Sequence, residues 1–155
     1  MEMPITAETN PKPSPDSGRL LLEVVTPTNI ALTQEVDLVI APTINGRIGI
    51  LPRHIRLMTV LDTGVLEYKV SGQSYYMAIS EGYMEVAPHK VIVLAEAVDL
   101  AENINVEQAL AEKRKAEEEL HRPMDEKISF ARTQVNLQRA LTKLQIAKKY
   151  GEKKD

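Results

Sequence analysis

The hydrophobic positions of this chain change period once, close to residue 101. Before that point apolar residues alternate with polar ones or run in short blocks bounded by Gly, Pro, Asn and Asp. After it they recur every three or four positions. Residues 20–25 predict a strand, broken by Pro27 and Asn29. The segment 35–41 (EVDLVIA) combines alternation with an apolar run, as a sandwich strand does, and residues 42–49 read as a turn-rich loop. Further strands are predicted over 55–61, 65–70, 74–80, 82–86 and 91–97. Asp62-Thr63-Gly64, Ser71-Gly72-Gln73 and Ala87-Pro88-His89-Lys90 turn the chain between them. Many short strands at close turn spacing predict a sandwich or barrel.

The helical part begins at Asn105, which precedes Val106 and lies three residues before Gln108, in the manner of a capping box. A first helix is expected over about 106–121, with Val106, Ala109, Leu110, Lys113, Ala116 and Leu120 as its packing stripe and the Lys113 stem lying along it. Pro123 suits the first turn of a second helix, which is expected to run to about Tyr150 and stop at Gly151. On that helix Phe130, Leu137, Leu141 and Leu144 share one face, while Arg132, Arg139 and Lys143 share another that is nearly opposite. Two helices are too few to hold a core, so the hairpin must pack on the β domain or on another protein. The fold class is α+β: an N-terminal β-sandwich over 19–101, then a C-terminal antiparallel two-helix hairpin over 102–155. Residues 1–18, with Pro4, Pro11, Pro13 and Pro15, read as a flexible tail.

Composition narrows the chemistry. Of 155 residues 43% are hydrophobic and 26% charged, as in ordinary soluble domains, but there is one Phe and no Trp. Val, Ile, Leu and Ala must therefore fill the core. The absence of Cys excludes disulfides and thiolate chemistry, and three scattered His offer no metal cluster. No apolar run approaches the roughly 18 residues of a membrane span, and no signal peptide is visible. The net charge of −3 is unevenly placed: residues 1–101 hold 7 Lys/Arg against 12 Asp/Glu, whereas residues 123–154 hold 8 against 3. A basic C-terminal segment on an acidic chain is expected to meet an acidic surface. Net acidity, and Tyr residues that do not interleave with the basic stripe, argue against nucleic acid as partner.

The run Asn45-Gly46-Arg47-Ile48-Gly49-Ile50-Leu51-Pro52-Arg53-His54 reads as a tight turn entering a short strand that stops at Pro52. Four features follow in order: the β-rich first part, the run GRIGILPRH, the stretch 105–120 (NVEQALAEKRKAEEEL), and a basic second helix. From Leu20 to about Lys149 the chain resembles the epsilon subunit of F-type ATP synthase. The resemblance implies a non-catalytic central-stalk subunit without a cofactor, peripheral to the cytoplasmic face of the bacterial inner membrane. Its implied partners are the gamma subunit, the c ring and the catalytic beta subunits, and its hairpin would inhibit ATP hydrolysis when extended. It places Arg47 and His54 at the gamma and c-ring interface. It points to docking of Arg132, Arg139 and Lys143 on an acidic loop of a beta subunit.

Some members bind ATP on the hairpin through an Ile-Asp-x-x-Arg-Ala start and two arginines on the second helix. Here Asn105 and Gln108 replace the Asp and the Arg. Arg139 is present, Lys143 stands at the second arginine position, and Asp99 is an acidic residue just upstream. An ammonium or an amide does not replace a bidentate guanidinium, so the departures argue against nucleotide binding, with Arg139 the remaining candidate. Two rivals from other classes stand beside this reading. One is a β-sandwich binding module whose hairpin dimerises through Phe130, Leu137 and Leu141. The other is an enzyme, which lacks a nucleophile, base and orienter at recognisable spacing.

Overall fold

Alternating side chains resolve into ten strands in the computed structural model, which describes residues 18–122 and 127–150. In chain order they are β1 (Leu20–Val25), β2 (Ile30–Val36), β3 (Leu38–Thr43), β4 (Gly46–Ile50), β5 (Leu57–Leu61), β6 (Gly64–Val70), β7 (Gln73–Ile79), β8 (Gly82–Ala87), β9 (Lys90–Ala95) and β10 (Val98–Leu100). A short 3-10 turn over Ala101–Asn103 leads to helices α1 (Val106–His121) and α2 (Lys127–Tyr150). The strand order is β10-β7-β6-β3-β5-β8-β9-β1-β2, with β4 on β3. A single pair, Thr43 with Leu61, carries the sheet from β3 to β5. The sheet therefore divides into two halves, β10-β7-β6-β3-β4 and β5-β8-β9-β1-β2. Their inner faces supply Leu20, Leu22, Val24, Val39, Leu66, Met77, Ile79, Met84, Val91 and Val93, all buried in one core. Alternate positions on both halves thus build a sandwich. Pairing is antiparallel except for β1 beside β9, which is parallel.

Two expectations fail locally, for physical reasons. Residues 35–41 are two strands, because Asp37 turns a corner between β2 and β3. Its amide donates to the Lys69 carbonyl at 2.7 Å, its carboxylate accepts from the Ser71 amide at 2.7 Å, and Arg19 pairs with it at 3.0 Å. Those bonds tie the corner to the β6–β7 hairpin, which sequence spacing does not reveal. Residues 42–49 are a hairpin of β3 and β4 rather than a loop. Pro42 lies within β3 opposite Arg47, and Gly46 takes a φ of 109° at the turn. The β4 strand stops at Ile50, just before the turn that Pro52 enters; Arg53 there has a φ of 66°, a left-handed conformation that favours glycine.

The capping expectation at Asn105 holds: its side-chain oxygen accepts from the Gln108 amide at 3.1 Å. Asn105 has extended backbone, φ −95° and ψ 114°, as an N-cap requires. Helix α1 spans the expected residues. The expected start of α2 at Pro123, its stop at Gly151 and the tail over residues 1–17 lie outside the described residues. Helix α2 packs on the outer face of β6 and β7, where Ile146 is buried with Val65 and Ala78, bordered by Tyr76, Ala101 and Ile104. No helix among the described residues is long and apolar enough to cross a membrane.

Candidate functional site

The hairpin keeps much of its predicted α1 stripe and departs from the α2 one. On α1, Ala109 and Ala116 are buried, Lys113 and Leu120 half-buried, and Val106 and Leu110 exposed. On α2, Thr133, Ala140, Thr142 and Ile146 are buried, Leu137 and Leu144 half-buried, and Phe130 and Leu141 exposed. Apart from Ile146, which packs on the sandwich, the buried positions carry small residues, Ala or Thr. The helices run antiparallel, as expected. Thr133 of α2 donates to Glu119 of α1 at 3.3 Å, and Lys143 meets Glu112 at 3.0 Å.

The basic stripe occupies one face, but that face is not open solvent. Lys143 keeps only 13% of its side-chain surface exposed, and its ammonium lies 3.0 Å from Glu112 Oε2 and 3.7 Å from Asp99 Oδ2. Glu112 in turn accepts through its other oxygen from the Gln108 side chain at 3.3 Å. Arg139 is half-buried and borders two openings. One is a cleft of ≈ 250 Å³ between the helices, which also takes in Lys115, Glu119 and Asn136. The other is a crevice against Ser80, Asp99 and Thr142. Arg132 is exposed. In this hairpin position the three cations therefore do not form one free surface. Residues 108 and 105, which depart from the nucleotide-binding pattern, are used locally: Gln108 orients Glu112 and Asn105 caps α1.

Arg47 and His54 lie toward opposite ends of the β4 segment. The Arg47 guanidinium donates to the Val65 carbonyl at 3.0 Å, linking the β3–β4 hairpin to β6. His54 closes the Leu51–His54 turn through its amide, at 3.2 Å from the Leu51 carbonyl, and its Nδ1 lies 2.7 Å from the Ile55 carbonyl. Around these two residues Ile44, Leu51 and Ile55 are exposed.

One surface was not foreseen from the sequence. On the outer face of the second sheet half, Val60 of β5 is paired with Tyr83 of β8, Tyr83 with Leu94 of β9, Leu94 with Val25 of β1, and Val25 with Ile30 of β2. Register thus assembles an apolar row across five strands, and Met58 lies beside it on β5. Met58 is 70% and Tyr83 58% exposed. The signal was present in β9 (KVIVLA), which is apolar at both parities, as in strands covered on both faces. Adjacent exposed apolar residues on this scale mark an interaction surface.

The chain is thus a two-part protein, a β-sandwich with an apolar row on one outer face and a helical hairpin docked on the other half. The ATP synthase delta/epsilon chain models match this chain in two parts, the beta-sandwich domain over residues 19–101 and the long alpha-helix domain over 102–148. An ATP synthase epsilon chain of Nitratidesulfovibrio vulgaris is 41% identical over 127 residues, covering 82% of this chain and 94% of that one. Another, of Herpetosiphon aurantiacus, is 42% identical over 127 residues, covering 82% and 93%. The chain belongs to the family of ATP synthase delta/epsilon chains, and its similar relatives are epsilon chains. The fold is shared with a chain in the Euglena gracilis mitochondrial ATP synthase, with a TM-score of 0.71 and 19% identity over 88% of this chain and 85% of that one. A chain in the central stalk and c ring of the Tetrahymena thermophila enzyme gives a TM-score of 0.55 at 15% identity, over 83% and 94%.

Proposed function

We propose that this chain is a non-catalytic rotor subunit of a proton-translocating ATP synthase, that it joins the gamma subunit to the c ring, and that its hairpin restrains ATP hydrolysis. The observation that carries the docking part is the apolar row from Val60 to Ile30, which lies on the sheet half that the hairpin does not cover. Covering such a row with a gamma surface removes apolar area from water, about 25 cal/mol for each Å² buried. Arg47 and His54, with exposed Ile44 and Ile55 nearby, are the proposed edge toward gamma and the c ring. The protein is then peripheral to the cytoplasmic face of the bacterial inner membrane, held there through the complex.

The braking part rests on the hairpin. Arg132, Arg139 and Lys143 are the proposed contact with an acidic loop of a catalytic beta subunit. In the docked hairpin Lys143 is already taken by carboxylates of this chain. Lys143 therefore joins the stripe only once α2 parts from both Asp99 of the sandwich and Glu112 of α1, which makes the docked hairpin and docking on the catalytic head exclusive. Nucleotide regulation is disfavoured, because Gln108 and Lys143 are engaged with Glu112.

The test adds the full chain, and a version ending at Glu102, to a catalytic head that has a matched gamma subunit and lacks its own epsilon. Both are expected to bind, and only the full chain to slow ATP hydrolysis. Failure of both to bind would overturn the reading. A second reading, the self-associating module, draws on the exposed Phe130 and Leu141. It predicts a dimer in sedimentation that Phe130→Ser and Leu141→Ser dissociate, whereas the rotor reading predicts that neither substitution alters the mass of the free chain.

A further inference from the structure

Helix α1 packs chiefly on α2, and α2 packs on β6, β7 and the 3-10 turn. The apolar part of that attachment is small, centred on Ile146 between Val65 and Ala78. One side chain joins all three bodies: Lys143 of α2, with Glu112 of α1 and Asp99 of β10 on either side of its ammonium. Gln108 fixes the Glu112 carboxylate, and β10 is fixed by pairing with β7, Asp99 opposite Ala78. Both carboxylates remain more than a third exposed, whereas the lysine is mostly buried. Release of α2 from both α1 and the sandwich would return all three groups to water, so the arrangement depends on attraction between charges, with Asp99 the arm that reaches the sandwich. Attraction of that kind weakens with ionic strength.

We infer that Lys143, Glu112 and Asp99 form an electrostatic clasp that sets the ratio of docked to released hairpin, and that ionic strength rather than a bound ligand works it. The clasp is a property of the free chain. Its effect on hydrolysis rests on the braking function proposed above, and the two are tested separately.

The chain has no Cys, so a pair introduced at the exposed positions Gln73 of β7 and Glu118 of α1 can be spin-labelled alone. Pulsed electron resonance on the full chain then reads the sandwich-to-α1 distance at low and high salt. At low salt a single docked distance is expected. Lys143→Met should raise the released fraction about three- to tenfold, in the range of one or two partly buried charge pairs, and should abolish most of the salt response. Lys143→Arg should restore both. Asp99→Asn, on the sandwich side, should give a smaller release in the same direction. Far-ultraviolet circular dichroism checks that the sandwich stays folded, and Asp99→Asn covers the case in which Lys143→Met does not fold. Distances and salt response at wild-type values in Lys143→Met and Asp99→Asn would overturn the clasp, as would release that salt does not reproduce in the parent chain. Hydrolysis is read in Asp99→Asn, which leaves the basic stripe whole: release of its hairpin without any change in hydrolysis by the assembled head would leave the clasp standing and remove the brake.

Discussion

At the scale of single residues, two positions show how the sandwich constrains its parts. Gly82 opens β8 opposite Ala95, and a Cβ there would collide with the Leu94 carbonyl oxygen and the Ala95 backbone. The obstacle is backbone, which cannot swing aside as a flexible side chain would. Gly82→Ala should therefore cost about 2–3 kcal/mol, the range of overpacking a tight site, and appear as a lower midpoint in urea unfolding. Tyr68 is buried and stacks on Tyr75 with ring centroids 5.3 Å apart. Burial, then Tyr75, then Glu102 push its pKa above the ordinary 10.0. A raised pKa in the folded state means that the neutral phenol is favoured by folding. The associated stability is complete below the ordinary value and is lost as pH rises through the folded one. Unfolding curves above pH 10 should thus show the parent losing more stability than Tyr68→Phe, the gap closing toward neutral pH. Neither feature was legible in the sequence. Gly82 reads there as the first residue of a strand over 82–86, and its close approach to β9 exists only because of cross-strand register. Asn105, by contrast, was legible as a cap, because its partner is three residues away.

At the scale of elements, local chemistry and distant packing divide the work differently in strands and helices. The α1 start depends on Asn105, so Asn105→Ala should cost about 1 kcal/mol and speed hydrogen exchange at the Gln108 amide, while Asn105→Asp keeps the cap and adds a favourable charge at the helix N-terminus. The two helices were legible as helices, and α1 in its extent, because a 3.6-residue period is carried by the segment itself. Their packing faces were only partly so. Periodicity found Ala109 and Ala116 on α1, but on α2 it selected Phe130, Leu137, Leu141 and Leu144, whereas Thr133, Ala140, Thr142 and Ile146 are the buried ones there. Large apolar residues advertise themselves in a sequence, whereas close helix approach selects small ones. Most strands were recognised from alternation, yet the division at Asp37 and the pairing of Pro42 with Arg47 were not. The bonds that make the Asp37 corner come from Arg19, Lys69 and Ser71, which are distant in sequence and are brought beside it by the pairing of β1 with β2 and of β6 with β3.

At the scale of the whole molecule, the two sheet halves have different outer faces. One carries the hairpin, and the other leaves Val60, Tyr83, Leu94, Val25 and Ile30 in a row. If that row is the rotor contact, Tyr83→Glu should weaken association with gamma at least about 30-fold, as loss of a central aromatic contact does, and leave the melting of the free chain nearly unchanged. Titration of labelled chain against a gamma-containing head measures it, and unchanged affinity would remove the row from the interface. By itself the sequence determined the class of fold, the change from strands to helices near residue 101, the α1 cap and the family, since each depends on residues close together or on an ordered set of motifs. Only the tertiary structure decided which outer face is covered, that Lys143 is held between Asp99 and Glu112 rather than free on a basic stripe, and that five scattered apolar residues make one surface. The reason is physical. Period and capping act over a few residues and are written into the local sequence, whereas strand order and register join residues as far apart as Ile30 and Leu94, and no local pattern encodes their neighbourhood.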